Sequence, residues 1–316
     1  MNLLSAPFSL LQEESRPIHL AIGMFDGVHR GHRAVLGEAR EAARADGGLA
    51  GVLTFEPHPS HLFRPDSPTP MIYPPAAKQE RLRGFGMDLY LEQPFHAAFA
   101  ARTAEEFLRQ LLEAVPTLAS VSVGSNFRFG KGRQGDAGLL RHFLGEHRIR
   151  VHAVDRVESG GEAVSSTRIR RLLPVEPVES LQPLLVDPYL VAAPVQTGKQ
   201  LGRTIGFPTL NLPFPAEIRP LLGVYFAQYR LPGDPPGAPA RPAVANLGLR
   251  PTVEESTTPV LEVHALGEPE AGPGDTLLVE LLHLRRGERK FSGVDELKEA
   301  IARDTKAART FFSAHP

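Results

Sequence analysis

No cysteine occurs among the 316 residues of the chain. That absence excludes disulfides, thiolate metal centres and a cysteine nucleophile together. It fits a reducing compartment, so a cytoplasmic location is expected. An excess of charge is also missing: 35 Lys and Arg stand against 36 Asp and Glu, and no overall field draws the protein to nucleic acid or a membrane surface. No apolar run reaches the roughly 20 residues that cross a bilayer. The opening MNLLSAPFSLLQEESRPIHL has no basic leader and carries Glu13 and Glu14 early, which argues against a secretory signal. No G-x-x-x-x-G-K-[ST] occurs, so a Walker A loop is excluded. Nothing in the sequence calls for an obligatory protein partner.

What is present is a globular composition, 42% hydrophobic and 22% charged, in a chain long enough for two domains. Strand-like runs at 18–25, 49–56, 87–95, 119–124 and 149–157 alternate with helical stretches. These begin near His32, Ala76, the capping box Thr103-Ala104-Glu105-Glu106 and Asp136. That alternation predicts a doubly wound, mostly parallel sheet over residues 1–184. From about residue 185 the texture changes to PYLVAAPVQ, TLNLPF, GVYFAQYRL, ARPAVANLGL, PVLEVHAL and TLLVELLHL, short runs parted by Gly and Pro. They predict a small antiparallel six-stranded β-barrel over 185–316, closed by a helix from about Val294 to Phe312.

The first strand runs into Gly23-Met24-Phe25-Asp26-Gly27-Val28-His29-Arg30-Gly31-His32. In a parallel sheet this is the ligand-facing edge, where the next helix aims its N-terminal N–H groups. Gly23, Gly27 and Gly31 let the backbone approach a bound group. Two imidazoles three residues apart can both donate to phosphate oxygens and stabilise charge developing on phosphorus. The bland alternatives are histidines that cap the helix, or a metal pair joined by His58 and His61. Gly130-Lys131-Gly132-Arg133-Gln134-Gly135 satisfies G-x-G-x-x-G, with Asp155 twenty residues on. A dinucleotide site is disfavoured because Gly130 stands five residues past its strand, and Lys131 and Arg133 suit a basic loop.

In the second half Gly198, Lys199, Gly202 and Arg203 make a glycine-rich basic stretch able to wrap phosphates. Thr209 and Asn211 alternate along a strand, so both side chains share a face and offer two oxygen ligands suited to Mg²⁺. Leu261-Glu262-Val263-His264 places a carboxylate in an apolar strand. Glu262 is either a general base for an attacking alcohol or an outward-facing strand residue.

FDGVHRGH, TFEPHP, GSNFRFGKGRQGD and SSTRIR, in that order, resemble the transferase half of the bifunctional bacterial riboflavin kinase/FMN adenylyltransferases, across residues 18–172. LGRTIGFPTLN, VANLGLRPT, LEVH and RGERKF resemble its kinase half, across 188–304. The resemblance implies riboflavin, FMN and ATP as substrates and Mg²⁺ as cofactor. Riboflavin is phosphorylated to FMN, which is then adenylylated to FAD with release of pyrophosphate. It places His29, His32, Gly23, Phe25, Gly27 and Gly31 at the ATP phosphates, with Ser166, Thr167 and Arg170 as a second phosphate-binding helix start. Asn126 lies near the flavin or the transferred phosphate, and Phe127 and Arg128 near the flavin. In the kinase half it implies Mg·ATP held through Thr209 and Asn211, with Glu262 as base. Arg286 and Phe291 lie near the flavin or the ADP end. Two departures stand out. Leu210 replaces the family's alanine between the metal ligands and is expected on the opposite face. Gly272-Pro273-Gly274-Asp275-Thr276 replaces Asp-Leu-Tyr-Gly. The competing readings are an enzyme with one working half, a flavin-sensing module, and an oxidoreductase.

Overall fold

In the computed structural model, which describes residues 2–4, 11–197, 206–235, 237–251 and 257–314, the chain forms two compact units. One comprises Met1–Pro70 with Lys78–Ser166, the other Met71–Ala77 with Thr167–Pro316. The first unit follows β1 (Asn2–Leu4), β2 (Ile18–Ile22), α1 (Arg30–Asp46), β3 (Leu49–Glu56), α2 (Pro59–Phe63), α3 (Pro75–Gly84) and β4 (Leu89–Pro94). It continues through α4 (Ala97–Ala100), α5 (Ala104–Ala114), β5 (Leu118–Gly124), β6 (Arg128–Phe129), β7 (Gly135–Asp136), α6 (Ala137–Glu146) and β8 (Arg150–Val154). The short β9 (Glu158–Ser159) and β10 (Glu162–Ala163) pair with each other before α7 (Ser166–Leu172).

Its main sheet has the order β1-β4-β3-β2-β5-β8, and every pairing is parallel. The order reverses at β2: β3 lies on one side of it and β5 on the other. Alternate residues serve opposite faces. Ile18, Leu20 and Ile22 pack with Phe107, Leu108 and Leu111 of α5 and Leu140 of α6. Ala21 joins Val35, Leu36 and Ala39 of α1. Thr103 and Glu106 form the expected capping box at α5, and Gly47, at φ 74°, ends α1 in the left-handed region.

The opposite edge of this sheet holds an arrangement that imitates a hydrolytic triad. His19 Nδ1 lies 2.8 Å from Ser120 Oγ, and Nε2 lies 3.1 Å from each Asp46 oxygen. His19 and Ser120 are both 0% exposed. No substrate reaches that hydroxyl, and the edge is the one a parallel sheet turns away from its ligand. The three residues tie β2, β5 and the end of α1 together.

The second unit contains α8 (Gln182–Leu185), β11 (Tyr189–Pro194), β12 (Leu210–Pro213), β13 (Gly223–Arg230), β14 (Arg241–Pro251), β15 (Thr257–Ala265), β16 (Thr276–Gly287) and α9 (Val294–Ala314). Its six strands are antiparallel in the order β11-β16-β13-β14-β15-β12. A bridge between Gln196 and Asn211 brings the two edges together and nearly closes the barrel. Tyr225, Ala245, Leu247, Leu261, Val263 and Val279, all 0% exposed, fill its interior. The opposite faces of β13 and β14 present Val224, Phe226 and Val244 to Ala308 of α9. Segment 71–77 joins this unit through Tyr189 Oη, which donates to Ile72 O at 2.9 Å, and Tyr73 Oη, which accepts from Leu190 N at 3.3 Å.

His19→Ala leaves the buried Ser120 hydroxyl without its ring partner and removes the ring contact of Asp46, which is exposed at the end of α1. The expected cost is about 2 kcal/mol, seen as a lower urea midpoint for the first unit. A midpoint equal to wild type would mean that the three residues merely share a space.

Candidate active sites

At the carboxyl end of β2 the chain turns through positive φ three times, at Phe25 (51°), Gly27 (83°) and Val28 (38°). For a phenylalanine and a β-branched valine this costs of order 1–3 kcal/mol each, and it persists only where surroundings enforce it. Here they do. Phe25 and Val28 are each 2% exposed. Val28 N donates to Phe25 O at 3.1 Å. Thr54 of β3 donates to Met24 O at 3.2 Å, and Ser166 donates from Oγ to Asp26 O at 2.9 Å.

His29 follows as the N-cap of α1, its Nδ1 accepting from His32 N–H at 3.2 Å. The neutral ring therefore carries its proton on Nε2. The two imidazoles stack, centroids 3.6 Å apart and planes 15° apart, and Phe25 meets His32 edge-on at 5.3 Å. A β-carbon on Gly31 would lie 3.2 Å from His29 Cε1 and 3.4 Å from Val164 O, so glycine permits this placement. The first turn of α1 has no acidic residue, which leaves its positive helix end to an anion. Helix capping and anion binding are thus compatible, because they use different nitrogens of His29.

Asn126 lies just past β5 at the same edge of the sheet and is exposed. Phe127 N donates to Gly124 O at 2.9 Å, and its ring stacks on Phe129 at 5.5 Å. Arg128 donates to Phe127 O at 3.1 Å and lies 3.7 Å from Asp136. Gly130 and Gly135 flank the turn of the β6–β7 hairpin rather than a strand-to-helix crossover, so the dinucleotide fingerprint lacks its required setting. Rings at Phe63, Phe95, Phe99, Phe107 and Phe129 succeed one another at 5.6–6.1 Å. Phe63 is 65% exposed, an uncommon position for so large an apolar side chain. α7 begins at Ser166, so Ser166 and Thr167 occupy its first turn and Arg170 its last. His58 caps α2 through Nδ1, accepting from Ser60 N–H at 3.1 Å. Among the described residues no group of three His, Cys, Asp or Glu side chains could hold a metal ion.

In the second unit, strand register assembles the candidate residues. Asn211 of β12 stands opposite Glu262 of β15, which in turn stands opposite Asn246 of β14. Residues directly opposite point to one face, so the three form a row on the side away from Leu261 and Val263. The outward placement expected of an ordinary strand residue therefore holds for Glu262, which is half-buried. It shares that face with two amides. Leu210 pairs with Val263 and lies on the other face, as expected. Asn211 is 8% exposed, and its Nδ2 donates to Thr209 O at 3.4 Å. His264 donates from Nδ1 to Pro208 O at 2.9 Å, pinning the approach to β12.

Arg286, next to the last residue of β16, is bound through Nε and Nη2 to Asp304 Oδ2, at 3.0 and 2.8 Å, with Phe291 5.8 Å from its guanidinium. Asp304, on α9 and 4% exposed, and Asn246 are residues the sequence reading did not single out. Only the VANLGLRPT motif hinted at the latter. Gly272 to Asp275 form a closed turn: Gly272 N donates to Asp275 Oδ2 at 2.8 Å, and Gly274 N to Val195 O at 2.9 Å. Gly198, Lys199, Gly202 and Arg203 lie outside the described residues.

The FAD synthetase family matches residues 11–168 and the riboflavin kinase family residues 185–312. A bifunctional riboflavin kinase/FMN adenylyltransferase of Escherichia coli K12 is 37% identical over 312 residues, 99% of this chain and 98% of that one. Proteins so described from Pseudomonas fluorescens and Bacillus subtilis are 35% and 32% identical, over 96% and 97% of this chain. A crystal structure described as a macrolide-efflux protein from Streptococcus pneumoniae superposes with a TM-score of 0.79 at 28% identity, covering 98% of this chain and 99% of that one. Among the described residues no helix is long and apolar enough to cross a membrane.

Gly31→Ala should push the His29 ring aside by a few tenths of an ångström. Pyrophosphate, followed through the imidazole NMR signals of His29 and His32, should then bind about tenfold more weakly, equivalent to about 1.4 kcal/mol. Unchanged half-saturation would mean that the ring position does not govern anion binding there.

Proposed function

Because the chain belongs to the bifunctional riboflavin kinase/FMN adenylyltransferase family, we propose that its two activities are divided between the two sites just described. The chain phosphorylates riboflavin to FMN and adenylylates FMN to FAD, with ATP as co-substrate in both steps. Adenylyl transfer is assigned to residues 1–184 and phosphorylation to 185–316, a division supported by family matches ending at 168 and beginning at 185. The observation that carries the assignment is that the stacked His29–His32 pair belongs to one compact unit and the Asn211–Glu262–Asn246 row to the other.

In adenylyl transfer the nucleophile is the phosphate of FMN, already an anion, so no strong base is needed. His29 Nε2–H, His32 and the N–H groups opening α1 stabilise charge on the ATP phosphates, assisted by Gly23, Phe25, Gly27 and Gly31 of the turn. Ser166, Thr167 and Arg170 are assigned as a second set of phosphate donors on sequence grounds. Asn126, Phe127 and Arg128 receive the flavin, and the exposed Phe63 ring extends the apolar surface available to it.

In phosphorylation Glu262 accepts the proton of the attacking primary alcohol. Thr209 and Asn211 supply a hydroxyl and an amide oxygen beside that carboxylate, a hard, oxygen-only set that fits Mg²⁺. The absence of a three-carboxylate or histidine cluster among the described residues suits an ion held mainly by nucleotide phosphates. When bound, Mg²⁺ would supply positive charge to the ATP phosphates. Gly198, Lys199, Gly202 and Arg203 are assigned to the same phosphates on sequence grounds. Arg286 and Phe291 are assigned to the flavin or ADP end, with Asp304 fixing the guanidinium. The cysteine-free composition supports a cytoplasmic setting.

A chromatographic time course with riboflavin, ATP and Mg²⁺ should show FMN first and FAD after it. His29→Ala should cut FAD formation from FMN by about 100-fold while leaving FMN formation near wild type; Glu262→Ala should do the reverse. Equal loss of both activities in either variant would end the two-site assignment.

A further inference from the structure

β16 is 12 residues long, but its ladder with β11 runs only from Thr276, opposite Pro194, to Leu281, opposite Tyr189. Pro188, next in line, has no N–H with which to extend the ladder. Beyond Leu281 the short 3-10 helix Val178–Leu181 lies against β16, with Val178 and Leu181 buried. From that helix Glu179 sends one carboxylate to two successive residues of the strand. Its Oε2 accepts from Leu284 N at 3.0 Å, and its Oε1 lies 2.9 Å from His283 Nδ1. The His283 ring stacks on Phe226 of β13 and Phe311 of α9, at 5.7 and 6.1 Å.

This is the stretch in which β16 leaves regular pairing with β13. The register shifts twice, between the pairs Ala227↔Leu281 and Phe226↔His283, and again between Tyr225↔Leu284 and Val224↔Arg286. Each shift gives β16 one residue more than its partner, and such a bulge re-aims the side chains that follow it. Arg286 follows the second bulge. Its carbonyl lies so close to Gly223 of β13 that a β-carbon there would collide with it. Two residues earlier, the Leu284 N–H is held by Glu179. The backbone is thus fixed on either side of the bulge, and the Arg286 side chain leaves it toward Asp304.

We propose that Glu179 is a positioning residue for riboflavin phosphorylation: by holding Leu284 and His283 it fixes the double bulge that turns Arg286 toward Asp304. This rests on the assignment of Arg286 to the flavin or ADP end made above. Glu179 does not touch the reacting atoms. It lies in neither family match, since these end at 168 and begin again at 185, yet it packs in the second unit.

The experiment uses full-length protein: wild type, Glu179→Leu, Glu179→Gln, Arg286→Ala and the double variant Glu179→Leu/Arg286→Ala. Each preparation is assayed for riboflavin-to-FMN and for FMN-to-FAD conversion. Glu179→Leu should lower kcat/KM for FMN formation by about tenfold, with FAD formation within about twofold of wild type. Glutamine keeps an oxygen for the Leu284 N–H and should hold FMN formation within about threefold. With Arg286 already alanine, adding Glu179→Leu should cost less than about twofold more, because the two act through one group. A merely structural Glu179 would cost the same factor in both backgrounds, and that result overturns the proposal. It is also overturned by Glu179→Leu forming FMN within about twofold of wild type, by parallel loss of both activities, or by a glutamine variant as slow as the leucine one. A normal rate of FMN formation in Arg286→Ala removes the underlying assignment instead, a result separate from these.

Discussion

Every residue of β2 is buried, so neither face of this strand meets water and both must be covered by helices. Strands β3 and β5 flank it on either side, and that single placement settles most of the first unit. The strand order reverses there, α1 must leave from its carboxyl end, and the turn joining β2 to α1 opens at the crevice such a reversal creates. Apolar burial on two faces is also what lets the turn keep unfavourable φ values at Phe25 and Val28. Each is a side chain of the same packed layer, and releasing the strain would expose it. The energy that shapes the turn thus comes from the core beneath it.

The second unit reaches comparable precision by another route. Its candidate residues are not gathered by a strained turn but aligned by pairing: Asn211, Glu262 and Asn246 come from three strands and share one face because the ladder register puts them opposite one another. The same alternation that sends Leu261 and Val263 inward sends Glu262 outward, so barrel stability and site geometry are two readings of one periodicity. The row borders the α9 side through Val224, which pairs with both Asn246 and Arg286. Asp304 then orients Arg286 from the helix.

Much of this was legible in the sequence, because long periodic segments carry their own evidence of type. β3 at Leu49–Glu56 and β5 at Leu118–Gly124 fall within a residue of the sequence reading, and the Thr103–Glu106 box marked α5. The Gly23–His32 turn was legible through its glycines and paired histidines. What escaped has a physical reason in each case. β1 is three residues long and owes its existence to pairing with β4. Asn246 gains meaning only from register, which depends on pairing across residues distant in sequence. Asp304 looks like any acid on an amphipathic helix until Arg286 is placed against it. Segment 71–77 sits among residues of the first half but packs with Tyr189 and Leu190, a tertiary choice that local pattern does not encode.

The hydrogen bond from Ser166 to the carbonyl of Asp26 spans 140 residues. Its consequence is one of timing during synthesis. All strands of the parallel sheet, through β8 at Val154, have left the ribosome before Ser166 does. A nascent chain can therefore assemble the layered core while the turn after β2 still lacks its hydrogen bond from Ser166. The first unit becomes a fold before it becomes a site, and a chain halted between those two points already holds every strand of the parallel sheet.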